Sequence, residues 1–166
     1  MANAKKENEF KLDDKVTVIS IAPWNTNFSR LTSIGEVSVT ASGTVRLSRE
    51  EIIAQVNNNN KLFNGMGNGA HATYYIDDAE TRKYLEFETD DVKQKVVNKE
   101  TVAELFKIEK YEDFVNAVKD LVVTRAEKQA FIKIVISEKY NEYDKVSFAR
   151  EHCRFSFKYN EVNYGI

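Results

Sequence analysis

Glu86-Phe-Glu-Thr-Asp-Asp91 is the stretch on which the reading of this chain turns. Before it, apolar residues recur at every second position, the period of a half-buried strand. After it, they recur every three to four, the period of an amphipathic helix. The acidic connector itself has neither period. This change of period predicts an α+β protein: a small N-terminal β-rich lobe with short helices, followed by a C-terminal helical lobe of three to four helices. The expected organisation is an arm over 1–11, the β-rich lobe over 12–91, the helical lobe over 92–159 and a tail over 160–166. The two lobes together are read as one compact domain.

On the N-terminal side, Lys15-Val-Thr-Val-Ile-Ser-Ile-Ala22 is rich in β-branched residues and apolar on both faces, so it predicts a covered strand ended by Pro23. Residues 24–31 read as a loop carrying Trp24 and Phe28. Glu36-Val-Ser-Val-Thr40 and Thr44-Val-Arg-Leu47 both alternate around Ala41-Ser-Gly43, which predicts a β-hairpin. Ser48-Arg-Glu-Glu51 is a capping box opening a helix to about Val56. Asn57-Asn-Asn-Asn60 stops it, and residues 61–69 read as a mobile loop. His71 to Ile76 predicts a strand, and Asp77 caps a short helix reaching about Leu85.

On the C-terminal side, Asn98 caps a helix carrying Val102, Leu105 and Phe106. Phe114, Val115, Val118, Leu121 and Val122 mark a second helix over 110–123. Thr124-Arg-Ala-Glu127 is a second capping box, and its helix runs through Phe131, Ile134 and Val135; the same run could pair as a strand, but the box favours helix. A last helix covers 145–153, and Arg154-Phe-Ser-Phe-Lys-Tyr159 alternates as a strand would.

The chain has 24 Lys plus Arg and 26 Asp plus Glu, a formal net charge of -2. That excludes both a strongly basic nucleic-acid coat and a polyacidic DNA mimic. Residues 1–91 hold 10 basic and 14 acidic side chains and residues 92–166 hold 14 and 12, so an anionic partner would prefer the C-terminal part. The single cysteine, Cys153, can form neither an internal disulfide nor a thiolate cage, which fits a reducing compartment. The polar start has no apolar segment behind it, and no run approaches the roughly 18 apolar residues that span a bilayer. A cytoplasmic protein without membrane contact is expected.

No motif carries a reaction. Gly65-Met-Gly-Asn-Gly69 precedes a strand, whereas phosphate-binding glycine loops follow one and open a helix. His152 and Cys153 are neighbours on a helix and point about 100° apart, which is no catalytic dyad. Asp77, Asp78 and Glu80 are the best acidic cluster for a metal-dependent hydrolase, but a helix start neutralised by its dipole explains them more simply. The chain is therefore read as leaning away from catalysis, with no catalytic residue, metal or cofactor assigned. Trp24, Phe28, Phe63 and Met66 lie in segments read as loops and are the candidate partner-binding residues. Lys145, Arg150, Arg154 and Lys158 are the candidates for nucleic-acid contact, on a helix-turn-helix-like pair and an aromatic–basic strand.

Gly43-Thr-Val-Arg-Leu-Ser-Arg-Glu-Glu-Ile-Ile-Ala-Gln-Val56, with the Asn-rich and Gly-rich segments after it, resembles uncharacterised accessory proteins of phages and prophages from bacteria with AT-rich genomes. The resemblance carries no active site. It implies a protein that binds host machinery, as anti-CRISPR inhibitors bind CRISPR effectors. The expected function is a non-enzymatic binding protein docking on a host protein or ribonucleoprotein. Direct DNA or RNA binding and metal-dependent hydrolysis are the alternatives.

Overall fold

β1 (Lys15–Ser20) is apolar on alternate positions, with Val16, Val18 and Ser20 buried, and it needs a partner on each edge. It finds β4 (Thr44–Ser48) and β5 (Tyr74–Ile76), which pair with it antiparallel on either side. Val18 lies opposite both Val45 and Ile76. A separate two-stranded ladder joins β2 (Thr26–Ser29) to β3 (Glu36–Val39), with Phe28 opposite Val37. The computed structural model describes residues 9–154 and divides them into two compact units, one of residues 9–20 with 24–94 and one of residues 21–23 with 95–154. The α+β class holds.

The expected hairpin of residues 36–40 with 44–47 does not form. The Thr40–Gly43 turn is present, closed by the Gly43 amide on the Thr40 carbonyl at 2.8 Å. Its two arms nevertheless go to different sheets. β1 gives β4 five paired positions, with both Val16↔Leu47 and Val18↔Val45. β3 is only four residues long and finds its match in Thr26-Asn-Phe-Ser29, read from sequence as loop. The alternation is there in hindsight: Thr26 and Phe28 are buried, Asn27 and Ser29 exposed.

Three short helices complete the first unit: α1 (Arg49–Asn57), α2 (Lys61–Asn64) and α3 (Ala79–Tyr84). The cap of α3 is Asp78, not Asp77; the Asp77 amide is held by the Thr17 carbonyl instead, as an extension of the β1–β5 ladder. Phe28, Phe63 and Tyr74 meet edge-to-face, 5.0–5.9 Å between centroids, at the centre of the core with Val18, Leu47, Ile52 and Ile76. Such aromatic contacts add about 0.5–1.5 kcal/mol each beyond area burial.

Residues 61–69, expected to be a mobile loop, form α2 and a series of hydrogen-bonded turns. Asn60 caps α2 through the Leu62 amide, and the Met66 amide donates to the Ala70 carbonyl at 2.7 Å. Gly69 has φ +72°, and a Cβ there would lie 2.5 Å from Phe87 Cδ2. The glycines thus serve a close backbone path. The strand after them is short because His71 has φ +57°, which breaks the extended run. Within the expected arm, Phe10 stacks on Tyr84 at 4.7 Å, and the Lys11 carbonyl accepts from Arg49.

The second unit is helical: α4 (Lys99–Phe106), α5 (Tyr111–Leu121), α6 (Arg125–Ser137) and α7 (Tyr143–His152). Asn98 and Thr124 cap as their sequences predict, each reciprocated by Thr101 or Glu127. Phe131-Ile-Lys-Ile-Val-Ile136 is helix, because the cap fixes the preceding turn. Phe106, Phe114, Val118, Phe131, Val135 and Ala149 form the core. Ile21 and Ala22 pack beside it on Ala126. The expected strand over 154–159 and the tail over 160–166 lie outside the described residues beyond Arg154.

Candidate docking site

The loop joining β2 to β3 begins with Arg30, whose amide donates to the Gly35 carbonyl at 2.9 Å. Between these two residues lie Leu31, 46% exposed, and Ile34, 101% exposed. A six-residue loop of this kind would ordinarily move. Here it is fastened from beneath by Glu51, a carboxylate only 1% exposed in the first turn of α1. Glu51 Oε1 accepts from the Leu31 amide and Oε2 from the Thr32 amide, each at 2.9 Å, and the Thr32 hydroxyl donates to Oε2 as well. Gln55 Nε2 donates to the other oxygen at 2.7 Å and to the Ser29 carbonyl at 2.8 Å; Asn60 Nδ2 then donates to Gln55 Oε1. Burial works against ionisation of Glu51, but the Thr32 hydroxyl, the Leu31 amide, Gln55 and the Thr32 amide together outweigh it and hold its pKa at about 2. Ser48 accepts from the Glu51 amide as a cap should. The Glu51 side chain goes to the loop rather than back to Ser48, so the expected capping box is only half made.

Of the expected partner-binding residues, Trp24 is 37% and Met66 64% exposed. Phe28 and Phe63 are not available to a partner: they are 7% and 0% exposed and form the aromatic centre of the core. Their segments are strand and helix, not loop, which is why their rings turn inward. Leu31 and Ile34 were missed. Their signal was apolar residues set among Thr, Ser and Gly in a turn, each off the period of the strand next to it.

The expected nucleic-acid residues separate. Lys145 is 7% exposed; its ammonium donates to the Phe106 carbonyl and pairs with Glu142, both at 2.7 Å, so it closes the end of α4 instead of meeting phosphate. Arg150 is exposed, and Arg154 pairs with Glu151. Lys158 lies outside the described residues. The acidic cluster is likewise occupied. Asp78 and Glu80 both pair with the Arg49 guanidinium, and Asp78 also accepts from Thr81. Among the described residues, no group of three or more His, Cys, Asp and Glu could hold a metal ion, and no helix is long and apolar enough to cross a membrane.

Cys153 is 5% exposed, and burial pushes its thiol up to about 11, against a smaller opposing pull from Lys128. The thiolate is the reactive form. We expect Cys153 to react with a thiol-exchange reagent at pH 8 at least 100-fold more slowly in the folded chain than in denaturant. A folded-state rate near that of a free thiol would show that α7 opens readily. The neighbouring His152 is held elsewhere: its Nε2 donates to the Val122 carbonyl at 2.7 Å.

No protein family, curated protein or solved structure matches this chain.

Proposed function

We propose that this chain is a binding protein without catalysis of its own, and that it docks on a host protein or ribonucleoprotein by seating the Leu31–Ile34 tip in an apolar pocket of that partner. The observation that carries this is the conjunction at the loop: a fully exposed isoleucine on a backbone held by a buried carboxylate. An exposed apolar side chain alone is ordinary. Burying a charged group to immobilise the turn beneath it is not, and a rigid anchor loses less entropy when it binds. Trp24 and Met66 add exposed apolar area in the same unit. The resemblance to phage accessory proteins supports a partner among host machinery, with a CRISPR effector as one such target.

The test is nuclease-treated capture from host lysate by parent and Ile34→Asp chains. Ile34 is fully exposed, so its replacement should leave stability within about 0.5 kcal/mol. Captured partner should fall at least tenfold, the loss typical of a central anchor. Equal capture by Ile34→Asp would remove the loop from the interface. A partner set that vanishes with nuclease in the parent would transfer the reading to nucleic acid.

A further inference from the structure

We infer that β3 is an acceptor edge, at which an extended basic segment of the partner adds as a third, antiparallel strand beside the β2–β3 ladder. This rests on the docking reading above and says how the partner's backbone is held. Residue pairing fixes which groups are available. The Arg30 amide bonds the Gly35 carbonyl, so the bonded pairs along the ladder are 30 with 35, 28 with 37 and 26 with 39. The amides and carbonyls of Glu36 and Ser38 therefore point away from β2. Among the described residues none of these four groups has a partner, and both side chains are exposed. On the opposite edge, the outward carbonyl of Ser29 is already taken by Gln55 Nε2.

Backbone groups of this kind specify an extended chain, and the strand's two faces specify its pattern. Val37 and Val39 lie on the buried face, Glu36 and Ser38 on the exposed one. An antiparallel strand places its residues directly opposite Glu36 and Ser38 on that exposed face, where lysine or arginine meets Glu36. Its alternate residues extend the apolar face of Val37 and Val39. Charge favours the same choice. This unit holds nine Lys and Arg against thirteen Asp and Glu over residues 9–20 and 24–94. The outer edge of β4 carries Arg46 and would repel the same segment. β3 also runs directly out of the loop that presents Ile34, so one partner can engage both.

The probe is a blocked peptide, (Lys-Val)4, added to the full chain, with amide hydrogen exchange as the readout. Peptide should slow exchange at Glu36 and Ser38 at least tenfold. N-methylation of the peptide's lysine amides should abolish that protection, because these are the groups that face β3; methylation of its valine amides should not. In the chain, Ser38→Pro should weaken peptide binding at least tenfold while the β2–β3 ladder survives, since the amide it removes points outward. Ser38→Ala should bind as the parent does. No protection at millimolar peptide, or protection indifferent to lysine-amide methylation, overturns the inference. Concentration-dependent protection without peptide would assign the edge to a second copy of the chain and overturn it as well. In the lysate experiment the two readings separate: capture lost in Ser38→Pro but kept in Ile34→Asp sinks the loop and leaves the strand, and the reverse sinks the strand alone.

Discussion

Replacing Arg49 with alanine is expected to lower the stability of the N-terminal unit by about 3–5 kcal/mol, the usual cost of removing one partner from a buried ion cluster. Arg49 opens α1 and is 6% exposed. A cation at a helix N-terminus is on the wrong side of the dipole, so its surroundings must compensate. Nη2 reaches Asp78 Oδ2 at 3.1 Å and Glu80 Oε2 at 3.0 Å. Nε donates to the Thr81 hydroxyl at 3.1 Å, and Nη1 to Asp14 Oδ2 and the Lys11 carbonyl, both at 3.4 Å. The Phe10 ring covers the guanidinium at 4.5 Å. Asp14 and Glu80 are half-exposed, and water screens most of what they contribute. The loss therefore falls mainly on Asp78, 22% exposed, and on the donors and ring that lose their shared partner.

The pH dependence of that loss has a definite sign. Burial resists ionisation of Asp78, but the Thr81 hydroxyl and amide, then Arg49, hold its pKa below the usual carboxylate value. A depressed carboxyl stabilises the fold above its unfolded pKa, and that stabilisation is lost as pH falls. The difference between parent and Arg49→Ala should be full at neutral pH and shrink below about pH 4, near the ordinary aspartate pKa. Trp24 is the chain's one tryptophan and belongs to this unit, so urea unfolding followed by its fluorescence reads the right transition. Arg49→Lys keeps the charge and loses the planar fork; it should recover only part of the loss. A parent-like midpoint in Arg49→Ala would mean that the cluster is decoration on a unit held by its aromatic core alone.

What was legible in the sequence divides along the line between local and long-range forces. The caps Ser48, Asn98 and Thr124 act within three residues, and each starts its helix where the pattern says. The helical period after the acidic connector is also local, and all four C-terminal helices follow it. Strand pairing is a competition between distant segments. Glu36–Val39 and Thr44–Ser48 carry every sign of a hairpin, yet the longer apolar ladder of β1 captures the second of them. Nothing within ten residues of the turn announces that outcome. Charged residues mislead for the same reason. Lys145 and Asp78 look like surface groups until a carbonyl 39 positions away and an arginine 29 positions away claim them. The docking loop needed both kinds of information: Ile34 stands out locally, but the carboxylate that fixes it is Glu51, whose sequence context suggests only a cap.

That carboxylate yields the other large effect. Glu51→Gln is expected to cost about 3 kcal/mol at neutral pH, since a pKa lowered from 4.5 to about 2 corresponds to that much preferential stabilisation of the charged form in the folded state. Glutamine offers one acceptor where Leu31, Thr32 and Gln55 present four donors, and its own amide adds two more. The contribution is present above pH 4.5 and disappears as pH falls toward 2, so the parent's advantage over Glu51→Gln should be flat from pH 7 to 5 and then decline between about pH 4.5 and 2, by at most about 1.4 kcal/mol per pH unit. A second readout separates stability from docking. In Glu51→Gln the Leu31 and Thr32 amides should exchange at least tenfold faster at a temperature where the core is still folded, and partner capture should fall with them while Ile34 itself is untouched. Loss of stability with unchanged amide protection and unchanged capture would show that Glu51 braces α1 and leaves the loop to hold itself. Loss of all three together is what a rigid anchor requires, because an isoleucine on a freed loop must be ordered again each time it binds.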